Sequence, residues 1–403
     1  MIPTYTMFGK QVRVFPFSPN WVRPVTESLE WKTDVFKSHS GIEQRRALRN
    51  TPRRTFEFQV LLQGDSAALL DNLLWAWTSR DLALPVWVDS AKVSSPVSQG
   101  STSVPCSTAG RSFRTGDFAL VYSGPFSYEV VQIATLSASL ITTVAPLTKA
   151  WSGNILIIPL VVAHLPSSNA AVRHTGHVVS GNFMFETSPH LTWSGIVATG
   201  PDVLYDGIEV VTVHPNWRTP IQNTFAREFD TVDSGVGPIG YLQRETVSRL
   251  VKPFQWLLKS RADIANFKAF VGRREGQLKP CWMPSHNNDM RLAQSNIADH
   301  NKIIVAGTHA HELSAIDVSR NRLMLRLPDG TTFYRRIVST TPDYVNDQTA
   351  LNLDSPIATT VGVSDNVRLQ FIQRYRLASD KIVIEYVSDS IAEPLTNFTT
   401  VNL

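Results

Sequence analysis

Short apolar runs of strand length recur along this chain, some alternating with polar residues at the period of two and others continuous. Residues 55–62, 118–122, 129–135, 155–160 and 381–387 are runs of this kind, rich in β-branched and aromatic side chains and separated by Gly, Pro, Asn and Ser. The pattern predicts a mainly β protein. Two stretches switch to helical spacing: residues 66–80, with Leu69, Leu70, Leu73, Leu74 and Trp77 behind Asp65 or Ser66 as cap, and residues 260–273, with Ile264, Phe267, Ala269 and Phe270.

Around each helix the chain reads as three steps: a strand-rich opening, a small β module, and a returning strand pair. The first opening ends near Ala91, and the Ser-, Val- and Pro-rich residues 92–107 read as a linker. A module over 110–159 follows, and residues 173–187 are expected to re-enter the first sheet. In the second half the module covers 301–369, with Pro328-Asp329-Gly330 as a hairpin turn, and residues 375–398 return. The domain boundaries expected from this are 1–91 with 166–200 for the first lobe and 92–165 for its inserted module. Residues 201–290 with 373–403 form the second lobe, and 291–372 its module.

The two halves repeat each other. Pro19-Asn20-Trp21 with Pro24 returns as Pro215-Asn216-Trp217 with Pro220, and Gln44-Arg45 returns as Gln243-Arg244. Thr33, Val35, Ser38 and Gly41 find counterparts in Thr231, Val232, Ser234 and Gly240. Phe56-Glu57-Phe58 matches Phe254-Gln255-Trp256, and the segment from Pro85 through Trp87 to Ser90 matches that from Pro280 through Trp282 to Ser285. Within the modules Leu147, Trp151 and Pro159 match Leu353, Pro356 and Val367 only loosely. A period of about 195 residues is far longer than a solenoid repeat, and it predicts two tandem lobes of like fold.

With 403 residues, 43% of them hydrophobic, the chain has material for two or more cores. Charged residues make up 18% and the net charge is +4, with arginines in doublets such as Arg45-Arg46 and Arg53-Arg54 rather than in a basic tract. That argues against a non-specific nucleic-acid face. Residues 1–17 lack an apolar core before a cleavage site, and no apolar run approaches membrane-spanning length, so a soluble product made in a cytoplasm is expected. Cys106 and Cys281 occupy unrelated places and read as small buried residues.

Catalytic templates find little. Nucleophile-elbow and phosphate-loop motifs are missing from the sequence, no dinucleotide-binding strand-turn-helix unit is read from it, and no acid/base carboxylate pair stands out. His309-x-His311-Glu312 would place both imidazoles on one face of a strand, but lacks further ligands at metal-site spacing; His174-x-x-His177 has no counterpart in the other half. No enzyme activity, metal or cofactor is expected. Trp21 and Trp217, beside their prolines, read as structural anchors where the entering chain packs on the sheet. Arg45 and Arg244 could each fork onto a carboxylate, either of a neighbouring subunit or of their own lobe.

The ordered series Thr33, Val35, Ser38, Gly41, Glu43-Gln44-Arg45, Pro52-Arg53-Arg54, Phe56, the leucine-rich helix, and Pro85, Trp87, Asp89 resembles the distal-tail and minor-tail proteins of long-tailed bacteriophages and gene-transfer agents. The second lobe departs from that pattern, with Leu242 for Glu43 and Pro284 for Asp89, and is more similar to minor tail protein M of lambda-like phages. The resemblance covers about 150 residues and omits both modules. It implies tail-tube-like β-sandwich lobes in a homo-oligomeric ring at the tail tip of a virion, between the tail tube protein and the central hub and baseplate proteins, with modules facing tail fibres. Genomic DNA would pass the lumen without specific binding. A trimer of six lobes would match a sixfold tube, and a hexamer of twelve lobes is the alternative. On this resemblance Trp21, Gln44, Arg45, Arg53, Arg54, Trp87, Trp217, Gln243, Arg244 and Trp282 are the expected interface or structural residues. A carbohydrate-binding receptor protein is the second reading, and a cell-wall hydrolase the third.

Overall fold

The computed structural model describes residues 3–38, 41–76, 81–166, 169–188, 200, 203–218, 220–227, 229–243, 248–316 and 320–401. It is mainly β, as the alternation predicts. The helices α1 (Asp65–Ala76) and α2 (Arg261–Arg274) fall where the helical spacing places them. Ser260 caps α2 by accepting from the Asp263 amide, and Glu275 ends it in the left-handed conformation. Trp77 lies outside the described residues.

Both halves are built on one plan, which is visible in the hydrogen-bond register. In the first half Lys10–Val14 runs parallel to Asp81–Pro85, and the Phe15 amide donates to Ala83 O. In the second, Val210 bridges Trp282 in parallel and the Val211 amide donates to Trp282 O. Val178–Thr187 pairs antiparallel with Glu43–Gln63 as Leu395–Thr400 pairs with Arg249–Gln255. The Val86 amide bonds Pro159 O, and the Ser285 amide bonds Phe371 O.

These registers correct four sequence matches. Asn20 donates to Gln59 O and Asn216 to Gln255 O, so Phe58-Gln59-Val60, not Phe56-Glu57-Phe58, is the counterpart of Phe254-Gln255-Trp256. Phe56 corresponds to Lys252, and two aromatic residues spaced by two slid the match along by one inward-facing position. Ala83 corresponds to Trp282, so Trp87 and Trp282 are not equivalent. Trp282 is inside a strand, while Trp87 sits on the short 3-10 turn that follows one. In the modules, Trp151 pairs with Val97 as Val361 pairs with Asn296, which replaces the matches proposed for Trp151 and Pro159.

The modules share a topology although their sequences do not show it. In the first, Ser103–Pro105, Leu140–Thr143, Ser127–Leu136 and Phe118–Gly124 pair in that order and join the body at Leu156–His164. In the second, His300–Ala306, Gln348–Ile357, Thr332–Asp343 and Arg322–Arg326 do the same and join at Arg368–Leu377. Residues 92–107 are not a linker. Val93 bridges Cys106, and Val93, Val97, Val104 and Cys106 are buried in the module core. Valine at the inward positions outweighs the loop-like serines and prolines between them. A third helix, α3 (His309–Ile316), stands where the sequence suggested a strand.

Each module has its own core, but the two bodies share one. Phe15, Phe58, Phe183 and Phe185 from the first half and Phe254, Trp256, Phe267 and Phe398 from the second belong to the same buried cluster. Strand pairing crosses the junction as well: Lys381–Tyr386 of the second half pairs antiparallel with Val25–Lys37 of the first, from Lys381 opposite Glu30 to Tyr386 opposite Val25. Cys106 and Cys281 are buried and free. No described helix is long and apolar enough to cross a membrane.

Candidate assembly interface

The repeated Pro-Asn-Trp motif is a turn, and the asparagine holds it. Asn20 Oδ1 accepts from the Val22 amide and Asn216 Oδ1 from the Arg218 amide, while each Asn amide reaches the strand beneath. The tryptophans are not the anchors the sequence suggested. Trp21 takes a positive φ of 54°, in the left-handed region that large side chains seldom adopt. It is 37% exposed and Trp217 is 61% exposed. Asn216→Ala is expected to destabilise the fold by about 1 kcal/mol, against about none for Trp217→Ala, as measured by urea midpoints.

The remaining interface candidates divide between the core and the junction. Trp87 is buried edge-on against Tyr122 at 5.1 Å, and Trp282 donates through Nε1 to Tyr205 O at 2.9 Å under the Arg374 guanidinium. Gln44 and Arg53 are exposed, with Arg53 4.0 Å from Glu186. Arg45 does not fork onto a carboxylate. It reaches Gln277 O in the other half at 3.5 Å, because the neighbouring Glu43 is taken by other arginines. Gln243 pairs with Phe229 in the second hairpin, and Arg244 lies outside the described residues.

The junction between the halves holds a buried charge cluster that the sequence pointed to only at Arg54 and Asp89. Glu27 accepts from Arg54 Nε at 2.6 Å, from Lys268 Nζ at 2.8 Å and from the Tyr386 hydroxyl at 2.7 Å. Lys268 and Tyr386 come from the second half. Beside them Arg261, also from the second half, bonds Asp89 and donates to Val88 O at 2.8 Å, Asp389 O at 2.7 Å and Gly110 O at 2.7 Å. Ser112 Oγ donates to the other Asp89 oxygen at 2.5 Å. Gly110 has φ +66°, and a Cβ there would lie 2.6 Å from Arg261 O. Gly110→Ala is therefore expected to loosen this contact and to lower stability by about 1–3 kcal/mol, read as a lower urea midpoint.

Burial works to raise the Glu27 carboxyl, but Arg54 and Lys268 outweigh it and hold it below its ordinary range. Asp89 is likewise held low by Lys268, Arg261 and Arg54 against its burial. Both carboxylates have depressed folded pKa values, so their contribution is complete above the ordinary range, roughly pH 4 to 4.5. It is lost as pH falls through the depressed values. Acid titration followed by tryptophan fluorescence is expected to show a flat baseline above about pH 5 and cooperative unfolding well below pH 4.

A second polar seam lies along the first long hairpin, Val25–Lys37 with Glu43–Gln63, whose outer half rests on the second body. Arg376 forks onto Glu43 at 2.7 and 2.9 Å, and Arg249 adds a bond to Glu43 at 2.9 Å and one to Gly41 O at 2.9 Å. Asp380 accepts from the Thr33 amide at 2.6 Å and the Gln277 amide at 2.9 Å. The matching hairpin of the second half, Phe229–Val232 with Gly240–Gln243, pairs only with itself among the described residues. Phe229, Val232, Val236, Tyr241 and Leu242 are exposed on it.

Histidines of both motifs are engaged in hydrogen bonds. His309 and His311 lie on α3 and bond Asp289 O and Thr340 Oγ1 respectively, and His174 bonds Ser180 Oγ. Two residues apart on a helix they point to different sides. No group of three or more His, Cys, Asp or Glu among the described residues is placed to hold a metal ion. A scan against protein-family models finds no match to the chain, and a search of curated proteins finds none either.

Proposed function

We propose that this chain is a structural subunit of a phage tail tip, of the distal-tail or minor-tail kind, which forms a homo-oligomeric ring joining the tail tube to the central hub, baseplate and fibres. The observation that carries this reading is the duplication. Two like bodies are joined side by side through continuous strand pairing and a shared core, so one chain amounts to two adjacent segments of a possible circle. The exposed apolar hairpin of the second half is the kind of surface that association covers. Three chains would supply six bodies, matching a sixfold tube, and six chains would supply twelve. In this reading the protein works in the virion by burying interfaces, without catalysis, and DNA passes through the lumen.

Native mass spectrometry and negative-stain imaging of the purified protein test the ring. Closed rings of three chains are the expected result. A protein that stays monomeric at tens of micromolar, alone and with its tail neighbours, would count against the reading.

A carbohydrate-binding role keeps one specific observation. A groove of about 920 Å³ between the first module, α1 and the N-terminal hairpin is lined by Tyr5, Arg13, Phe126, Tyr128 and Glu129. Aromatic faces beside charged groups are a sugar-binding chemistry. Glycan-array binding by the whole protein that is lost in Phe126→Ala would favour this second reading.

A further inference from the structure

The junction inside the chain uses one edge from each body, and the equivalent edge of each body is left over. Val25–Lys37, on the outer side of Glu43–Gln63, receives Lys381–Tyr386. Its counterpart in the second half is Thr224–Ala226, on the outer side of Arg249–Gln255, and among the described residues it has no second strand neighbour. The counterpart of Lys381–Tyr386 is Ala171–Thr175, the outer strand of the first body's return hairpin, which among the described residues pairs only with Val178–Thr187. Both leftover strands are exposed along their whole length. The two strands used at the junction have their inward positions buried.

We infer that these two leftover edges pair with each other between copies, Ala171–Thr175 of one chain against Thr224–Ala226 of the next, repeating the junction already made within the chain. The occupant of each edge is thus a second copy of this chain. Exposed strand edges invite added strands, and here one particular partner already has the complementary geometry. The contact is head-to-tail, the type that either closes into a ring or continues as a filament. The inference deepens the ring reading and depends on it for closure, while the pairing itself depends only on the duplication.

The register follows from the internal junction. Glu27 stands opposite Ile384 and Thr26 opposite Glu385. Transferred through the equivalences, Asn223 faces Ala171 and Gln222 faces Val172. The flanking contacts transfer too. Asp71 and Arg173, an ion pair in the first body, occupy the places of Lys268 and Tyr386 and would meet Asn223 in place of Glu27. Arg53 and His164 occupy the places of Arg249 and Arg376, the residues that hold the first hairpin. The exposed second hairpin, with Phe229 and Tyr241 packed edge-on, would lie across Arg53 and His164 of the neighbouring chain.

Paired cysteines test the register. Antiparallel neighbours alternate between close and wide pairs, so two double variants are made in the full chain, Ala171→Cys with Asn223→Cys and Val172→Cys with Gln222→Cys. All four positions are exposed, and the native cysteines are buried. Under mild oxidation at least one double variant is expected to give a ladder of disulfide-linked chains on non-reducing gels. The single variants, and Val172→Cys combined with Phe225→Cys, are expected to give no ladder. Native mass spectrometry of the same samples separates the failures. Rings without specific crosslinks overturn this pairing and leave the ring reading standing. Crosslinked ladders without closed rings uphold the pairing and overturn the ring. Monomers without crosslinks overturn both.

Discussion

Replacing Glu27 by alanine is expected to be the most damaging single change at the junction, costing about 3–5 kcal/mol. The carboxylate is fully buried and answers Arg54, Lys268 and the Tyr386 hydroxyl together. Its removal leaves Arg54 and Lys268 buried without the carboxylate that bonds them, with only the more distant Asp89 as counter-charge, and desolvated charges that lose their partners are far more costly than absent ones. The comparison that isolates this cause is a joint replacement, Glu27→Leu with Arg54→Leu and Lys268→Met, which removes the charges as a set. If uncompensated charge is the source of the loss, the triple variant recovers much of the stability that Glu27→Ala loses. Chemical denaturation of both, read as urea midpoints at equal slope, makes the comparison. A triple variant as unstable as the single one would show that hydrogen-bond geometry, and not net charge, matters here.

Phe15→Ala and Phe254→Ala, one in each half, are each expected to lower stability by about 3–5 kcal/mol, and each to lower a single transition. Phe15 packs edge-on against Phe17, Phe183 and Phe185 with ring centroids 5.0, 5.5 and 4.9 Å away. Phe254 meets Trp256 at 4.6 Å and Phe398 at 6.0 Å. The two sets belong to one buried cluster, so a void opened in either is felt in both bodies. Calorimetry of the variants should show one shifted main endotherm. Two endotherms, with only the mutated half shifted, would mean that the bodies melt independently in spite of their common core.

The sequence made the secondary structure legible wherever burial was one-sided. Alternation gave Val178–Thr187 and Lys381–Tyr386, and leucine spacing gave α1, because one face of each element decides its pattern. The duplication was legible at Pro19-Asn20-Trp21 because a turn held by an asparagine side chain tolerates few substitutes. It was misaligned further on, since Phe56 and Phe58 both point inward and either can stand for Phe254. In the modules the repeat survives as strand order with almost no shared side chains. Val97 bridging Trp151 and Asn296 bridging Val361 use backbone groups, which every residue carries. The junction cluster was legible only at Arg54 and Asp89, and not as a cluster, since its members lie far apart in sequence and no spacing rule brings Glu27 to Lys268 or Asp89 to Arg261.

The position of Glu27 is taken by Asn223 in the second half, and that of Arg54 by Leu250. If the bodies pair in the same way between chains, that second seam would lack the buried contact that Glu27 and Arg54 make inside the chain. In a circle of such chains, strong and weak seams would alternate. Mechanical or chemical stress would then part the circle at every second boundary and release whole polypeptides, each still folded and able to rejoin.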